Sequence, residues 1–222
     1  MKKLLFSLMA IALTINSFGQ ANSKNPYDSA GKIHNDVVTE FLTKYGSQNL
    51  STSKTIELTN AICDSRGMEG PRLTEMQFNA GMKDIKNNFK ETVSKSSLSS
   101  NGKIELQRLF DYMVNGGFKG GITIQESTAF ILNFEDQILA NKSLTQSDKK
   151  FILESSSVAR YSTSMWNNIE SKSSESQKPR WIRWLIVAAA DVAGGVAGGG
   201  AFSVPLGAAA STTTITVIDQ AK

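Results

Sequence analysis

The sequence predicts an all-α protein: a helical bundle of five or six helices followed by a C-terminal Gly/Ala-rich hydrophobic helix. Three observations carry that expectation. Apolar residues recur at helical spacing in successive blocks along the chain. Capping signatures stand at the starts of several blocks. The four prolines, Pro26, Pro71, Pro179 and Pro205, fall outside the block interiors, where a missing amide costs about 3 kcal/mol. Amphipathic stripes joined by short loops bury themselves only against one another, which is why the architecture expected is a bundle.

The blocks follow in order. Ile33, Val37, Phe41 and Tyr45 form the first stripe, preceded by Asn25–Pro26–Tyr27–Asp28, in which Asp28 or Ser29 is an N-cap and Tyr27 a staple. A shorter helix is expected from about Thr55 to Asp64. Phe78, Met82, Ile85, Phe89 and Val93 make one continuous stripe, opened by the capping box Thr74–Gln77. Leu106, Leu109, Phe110 and Met113 make another. The box Thr123–Glu126 opens the stripe Ala129, Phe130, Ile131, Phe134 and Ile138, and the looser pair Thr145 and Asp148 opens the longest one, Phe151 to Ile169. Breakers separate the blocks at SKSSLSSNG (94–102) and NGGFKGG (115–121).

At 222 residues the chain is long enough for one domain with tails. It starts with MKKLLFSLMAIALTINSFGQA, a basic start, an apolar run and small residues, which predicts a secretory signal peptide over residues 1–21 and export to the periplasm or medium. Cleavage after Gly19 or after Ala21 fits, the second slightly better. The expected organisation is then a bundle over 22–170, a polar linker over 171–180 and a Gly/Ala-rich tail over 181–222. The formal charge of +4 drops to about +2 once Lys2 and Lys3 are removed, which argues against nucleic acid as a partner.

Chemistry-bearing residues are sparse. Cys63 is the only cysteine and His34 the only histidine, so an intramolecular disulfide and a two-histidine zinc site are both excluded. Asp28, Asp36 and Glu40 lie near His34, with Asp36 and Glu40 on one helix face, a pattern that exposed surfaces usually solvate. The loops SLSSNGKIELQR and NGGFKGGITIQE resemble EF-hands in spacing, but Lys119 stands where an oxygen donor belongs and the first ends in Arg108. No metal, cofactor or catalytic residue is expected.

The tail is chemically unusual. Between Leu185 and Leu206 eight strongly apolar residues each favour membrane insertion by about 0.3–0.6 kcal/mol, nearly offset by Asp191 at about 2.5–3.5 kcal/mol. Gly194 with Gly198 and Gly195 with Gly199 form two G-x-x-x-G pairs, a glycine zipper that favours self-association. Asp191 should therefore face a partner helix or water. Trp181, Trp184, Arg180 and Arg183 suit a membrane interface. One helix over 181–203 would reach about 34 Å, and the β-branched TTTITVI beyond Pro205 favours strand or irregular structure. Membrane lipid, further copies of the chain, or both are the partners this predicts. The alternative is a soluble periplasmic or secreted binding module whose tail packs on its own bundle or on a protein partner.

Taken together, NPYDSAGKIHN (25–35), SVARYSTSMW (157–166) and RWIRWLIVAAADVAGGVAGGG (180–200) make the chain resemble an uncharacterised family of bacterial secreted proteins. That family joins a helical region to a Gly/Ala-rich tail, and the tail is similar to bacteriocin-like glycine-zipper segments. The resemblance implies no established activity and carries over no catalytic residue.

Overall fold

A computed structural model describes residues 21–46, 48–119, 122–171, 181–196 and 203–220, with side chains left out at 116–119, 169–171, 181–186 and 215–220. The all-α expectation is met. The described residues form nine α-helices: α1 Ser29–Tyr45, α2 Thr52–Ser65, α3 Glu75–Asp84, α4 Lys90–Lys95, α5 Ser100–Lys119, α6 Ile124–Ala140, α7 Gln146–Ser171, α8 Trp181–Val196 and α9 Val204–Gln220, with a 3-10 turn at Ile85–Asn87. The expected signal peptide over 1–21 and the expected linker over 171–180 lie outside the described residues except for Ala21 and for Ser171, which ends α7.

Two blocks read as continuous are divided. The stripe from Phe78 to Val93 breaks at Asn88 and Phe89, which take φ of 52° and 57°. Asn tolerates this left-handed conformation. Phe89 is held there by burial and by its ring lying 4.8 Å from that of Phe110. The tail divides too: the single helix expected over 181–203 is interrupted at Ser203, which is not helical, so that the described residues carry two helices, Trp181–Val196 and Val204–Gln220, with 197–202 outside the described set.

TTTITVI is helical, against its local preference. Thr212 and Thr213 turn their hydroxyls onto Ala208 and Ala209 carbonyls within their own helix. Thr212 also pairs with Thr59 of α2 at 2.8 Å. Tertiary packing has overridden β propensity. Among the described residues no helix is long and apolar enough to cross a membrane.

The capping boxes behave as read, whereas Asp28 makes no side-chain cap bond. Thr74–Gln77 and Thr123–Glu126 form reciprocal capping boxes, and Thr145 with Asp148 makes the same exchange. Asp148 also accepts from the amide and hydroxyl of Ser99, so one carboxylate ties the starts of α5 and α7 together. Gly102 leaves room for it, since a Cβ there would sit 2.5 Å from Asp148 Oδ1.

The bundle's helices pack on one another, α1 and α6 on α7 and α2 on α1, and most of them also pack on the tail. Helix α8 packs against α9, α7, α5, α3 and α4, while α9 packs against α8, α2 and α1. Every residue from 187 to 196 is buried, as is every residue from 205 to 214. Val187, Ala188, Ala189, Val192, Ala193 and Val196 belong to the same core cluster as Phe41, Leu109, Phe110 and Met113. A helix apolar on all sides needs cover on all sides, and the surrounding helices supply it.

Candidate functional site

Four helices bring the site together, and three of them, α1, α7 and α8, carry the three quoted segments. Its first side chain is His34 on α1, fully buried. Glycine lets α1 approach α7 here: a Cβ on Gly31 would lie 2.5 Å from the Ser157 carbonyl oxygen. The Gly31 amide donates to Ser157 Oγ, and Asn35 Nδ2 donates to the Tyr161 carbonyl at 3.0 Å. His34 Nδ1 then meets Asn35 Oδ1 at 3.1 Å, and Nε2 faces inward.

Across from it stands Asp191 of α8, also fully buried, with Oδ2 3.7 Å from His34 Nε2. The Ser162 hydroxyl of α7 donates to the same oxygen. Gly207 of α9 closes the fourth side, where a Cβ would come within 2.8 Å of the Asp191 carbonyl oxygen and 3.6 Å of the His34 ring. The residue expected to need a partner helix or water thus has three helices of its own chain, α1, α7 and α9.

The electrostatics follow from burial. Burial pushes the Asp191 carboxyl up to about 8, against the opposing pull of the Ser162, Ser211 and Trp166 donors. Ser211 Oγ and Trp166 Nε1 lean toward the carboxyl without reaching a well-aligned bond, and with Asp191 Oδ1 and His34 Nε2 they are buried polar atoms lacking one. Burial likewise pulls His34 down to about 4, only partly reversed by Asn35 and the Gly207 backbone. Burial thus disfavours the charged form of both partners, because neither charge is solvated.

Serine, histidine and aspartate meet here without the geometry of nucleophilic catalysis. The Ser162 hydroxyl points to Asp191 and not to His34, so the imidazole is not placed to take its proton. All three side chains are shut off from solvent.

A second buried polar group lies next to the first on α7. Arg160, fully buried, pairs with Asp28 and, at 3.3 Å, with the fully buried Glu135 of α6. Glu135 also accepts from Asn22 Nδ2 at 2.6 Å, Asn25 Nδ2 at 3.2 Å and Ser156 Oγ at 3.1 Å. Tyr161 donates its hydroxyl to Asp28 at 3.0 Å. Asp28 stands at the N-cap position of α1 but makes no side-chain cap bond, because Arg160 and Tyr161 occupy its carboxylate. The segment 22–28 is thereby sewn to α6 and α7.

The remaining sequence candidates are placed as follows. Gly194 is buried against Leu206, Gly207 and Ala210 of α9, so its small face is used within the chain. Gly195 is buried, and its carbonyl accepts from the Ser203 amide at 2.9 Å. Trp181, Arg183 and Trp184 lie on the first turn of α8, their side chains outside the described set; Arg180, Gly198 and Gly199 lie outside the described residues. Asp36 and Glu40 are surface ion-pair partners, of Lys32 at 2.7 Å and of Lys44 and Arg66 at 2.5 Å each. Cys63 is buried, and burial pushes its thiol up to about 11. Tyr161 and Trp166 are core residues. Sequence reading missed the pairings of His34 with Asp191 and of Arg160 with Glu135. The available signal was the run of small polar residues around Arg160 on a helix otherwise apolar on that face.

The chain matches no family model, no curated protein and no solved structure.

Proposed function

We propose that this chain is an exported, non-enzymatic helical protein that acts as a binding module through its outer surface, with the C-terminal hairpin α8–α9 serving as its core. The observation that carries this reading is the burial of residues 187–196 and 205–214 inside the bundle. A segment committed on all sides to its own chain is withdrawn from lipid and from other copies. Export rests on the N-terminal sequence, and the absence of enzymatic chemistry on the closed arrangement of His34, Asp191 and Ser162.

Membrane association or oligomerisation through the hairpin is the second reading. One observation favours it: α8 and α9 are consecutive, terminal and closely packed on each other at Gly194 and Gly207, so they can leave the bundle as one unit. Co-sedimentation of the intact protein with anionic liposomes, together with dye leakage, separates the two. The core reading expects a monodisperse protein left in the supernatant. Pelleting that requires residues 181–222 would replace it with the second.

A further inference from the structure

We infer that the His34–Asp191 pair is a proton-dependent latch on the C-terminal hairpin, closed while the pair holds one proton and weakened when that proton leaves. This goes beyond the proposed function and rests on geometry common to both readings. His34 lies on the first helix and Asp191 in the middle of α8, and the two side chains meet at 3.7 Å where α1, α7, α8 and α9 come together. Opening the hairpin separates them and returns both to water.

The direction follows from counting protons. Closed, the pair keeps one proton from about pH 4 to about pH 8, whichever partner carries it. Opened, with ordinary values of 6.5 and 3.8, the groups keep one proton only from about pH 4 to pH 6.5. Over the acidic range the count is therefore equal in both states, and acid does not release the hairpin. Between pH 6.5 and 8 only the closed state holds the proton, and each unit of rising pH favours opening tenfold. Loss of the proton leaves a buried carboxylate facing an imidazole that cannot answer its charge.

Among the described residues, the following charged groups on the surrounding helices are engaged elsewhere. On α1, Asp36 and Glu40 are paired at the surface. On α7, Arg160 is paired with Asp28 and Glu135. On α2, the Cys63 thiol is held protonated by burial. At the end of α3, the Asp84 carboxylate accepts the amides of Glu91 and Thr92, next to α4; on α4 itself, Glu91 is paired with Lys95 at the surface. On α5, Glu105 and Arg108 pair with each other. The described side chains of α9 carry no ionisable group, and those of α8 none besides Asp191.

The test is amide hydrogen exchange on the purified protein at pH 6.5 and 8.0, corrected for the intrinsic rate, comparing peptides from 187–196 and 204–214 with peptides from α6. The latch expects the opening constant of the hairpin to rise about 8-fold over this interval, and that of α6 by no more. Asp191→Asn should abolish the rise. His34→Gln, which removes the proton site of the opened state, should extend the rise down toward pH 4. A larger rise in α6 than in the hairpin, or an unchanged pH response in the variants that fold, would overturn the latch.

Discussion

His34 Nε2 lies 3.7 Å from Asp191 Oδ2, and neither side chain reaches solvent. The global stability of the protein should register this pair. Asp191 has a raised value when folded, so its contribution is present at low pH and lost as pH climbs toward about 8; His34 has a depressed value and acts in the opposite sense between about 4 and 6.5. The two cancel below pH 6.5. Above it Asp191 acts alone, and this pair lowers stability by about 1.4 kcal/mol per pH unit, about 2 kcal/mol in all by pH 8. Urea unfolding midpoints at pH 5, 6.5 and 8.5 should show a plateau and then a fall, and Asp191→Asn should flatten the fall.

Arg160→Met should be strongly destabilising, by about 3–5 kcal/mol, because it leaves Glu135 and Asp28 without their cation. Arg160→Met combined with Glu135→Gln should recover part of that loss. Urea unfolding of the two variants at pH 7 checks both statements; a double variant no more stable than the single one would remove Glu135 from the argument.

Helix approach at the glycines makes a steric prediction. Gly207→Ala places a Cβ 2.8 Å from the Asp191 carbonyl oxygen, and Gly31→Ala places one 2.5 Å from the Ser157 carbonyl oxygen. Backbone cannot swing aside as a side-chain end can, so each should cost about 1–3 kcal/mol. Gly81→Ala meets nothing within 4 Å and lies within a helix, where alanine is the better residue by about 1 kcal/mol. Thermal unfolding should rank Gly81→Ala above the parent and the other two below it.

Cys63 should resist labelling. Its side chain is buried and its thiol held far from ionisation, so a thiol reagent at pH 8 should react only as fast as the protein unfolds. Fast stoichiometric labelling of the folded protein would contradict its placement in the core.

How much of this was legible in the sequence depends on the range of the interaction. The helix starts at Thr74 and Thr123 were readable because a capping box is written within four residues. The break at Asn88 was not, since Phe89 accepts its left-handed backbone only for the sake of a ring contact with Phe110, twenty-one positions away. The helical state of Thr212–Thr214 depends in the same way on distant residues, Thr59 of α2 and Met82 of α3. Asp191 could be recognised as needing a partner, because a carboxyl in an apolar run always does. That the partners would be His34 and Ser162 is a property of tertiary packing, carried by small residues on α7 and α9 that look unremarkable one at a time.

The central claim is that α8 and α9 form the core of the bundle, and it is tested most directly by thermal unfolding of a variant ending at Gln177, followed by circular dichroism. The account predicts loss of the cooperative transition, since Phe41, Leu109, Phe110 and Met113 would lose the surface they pack against. A truncated chain that unfolds cooperatively at the temperature of the intact protein would contradict it.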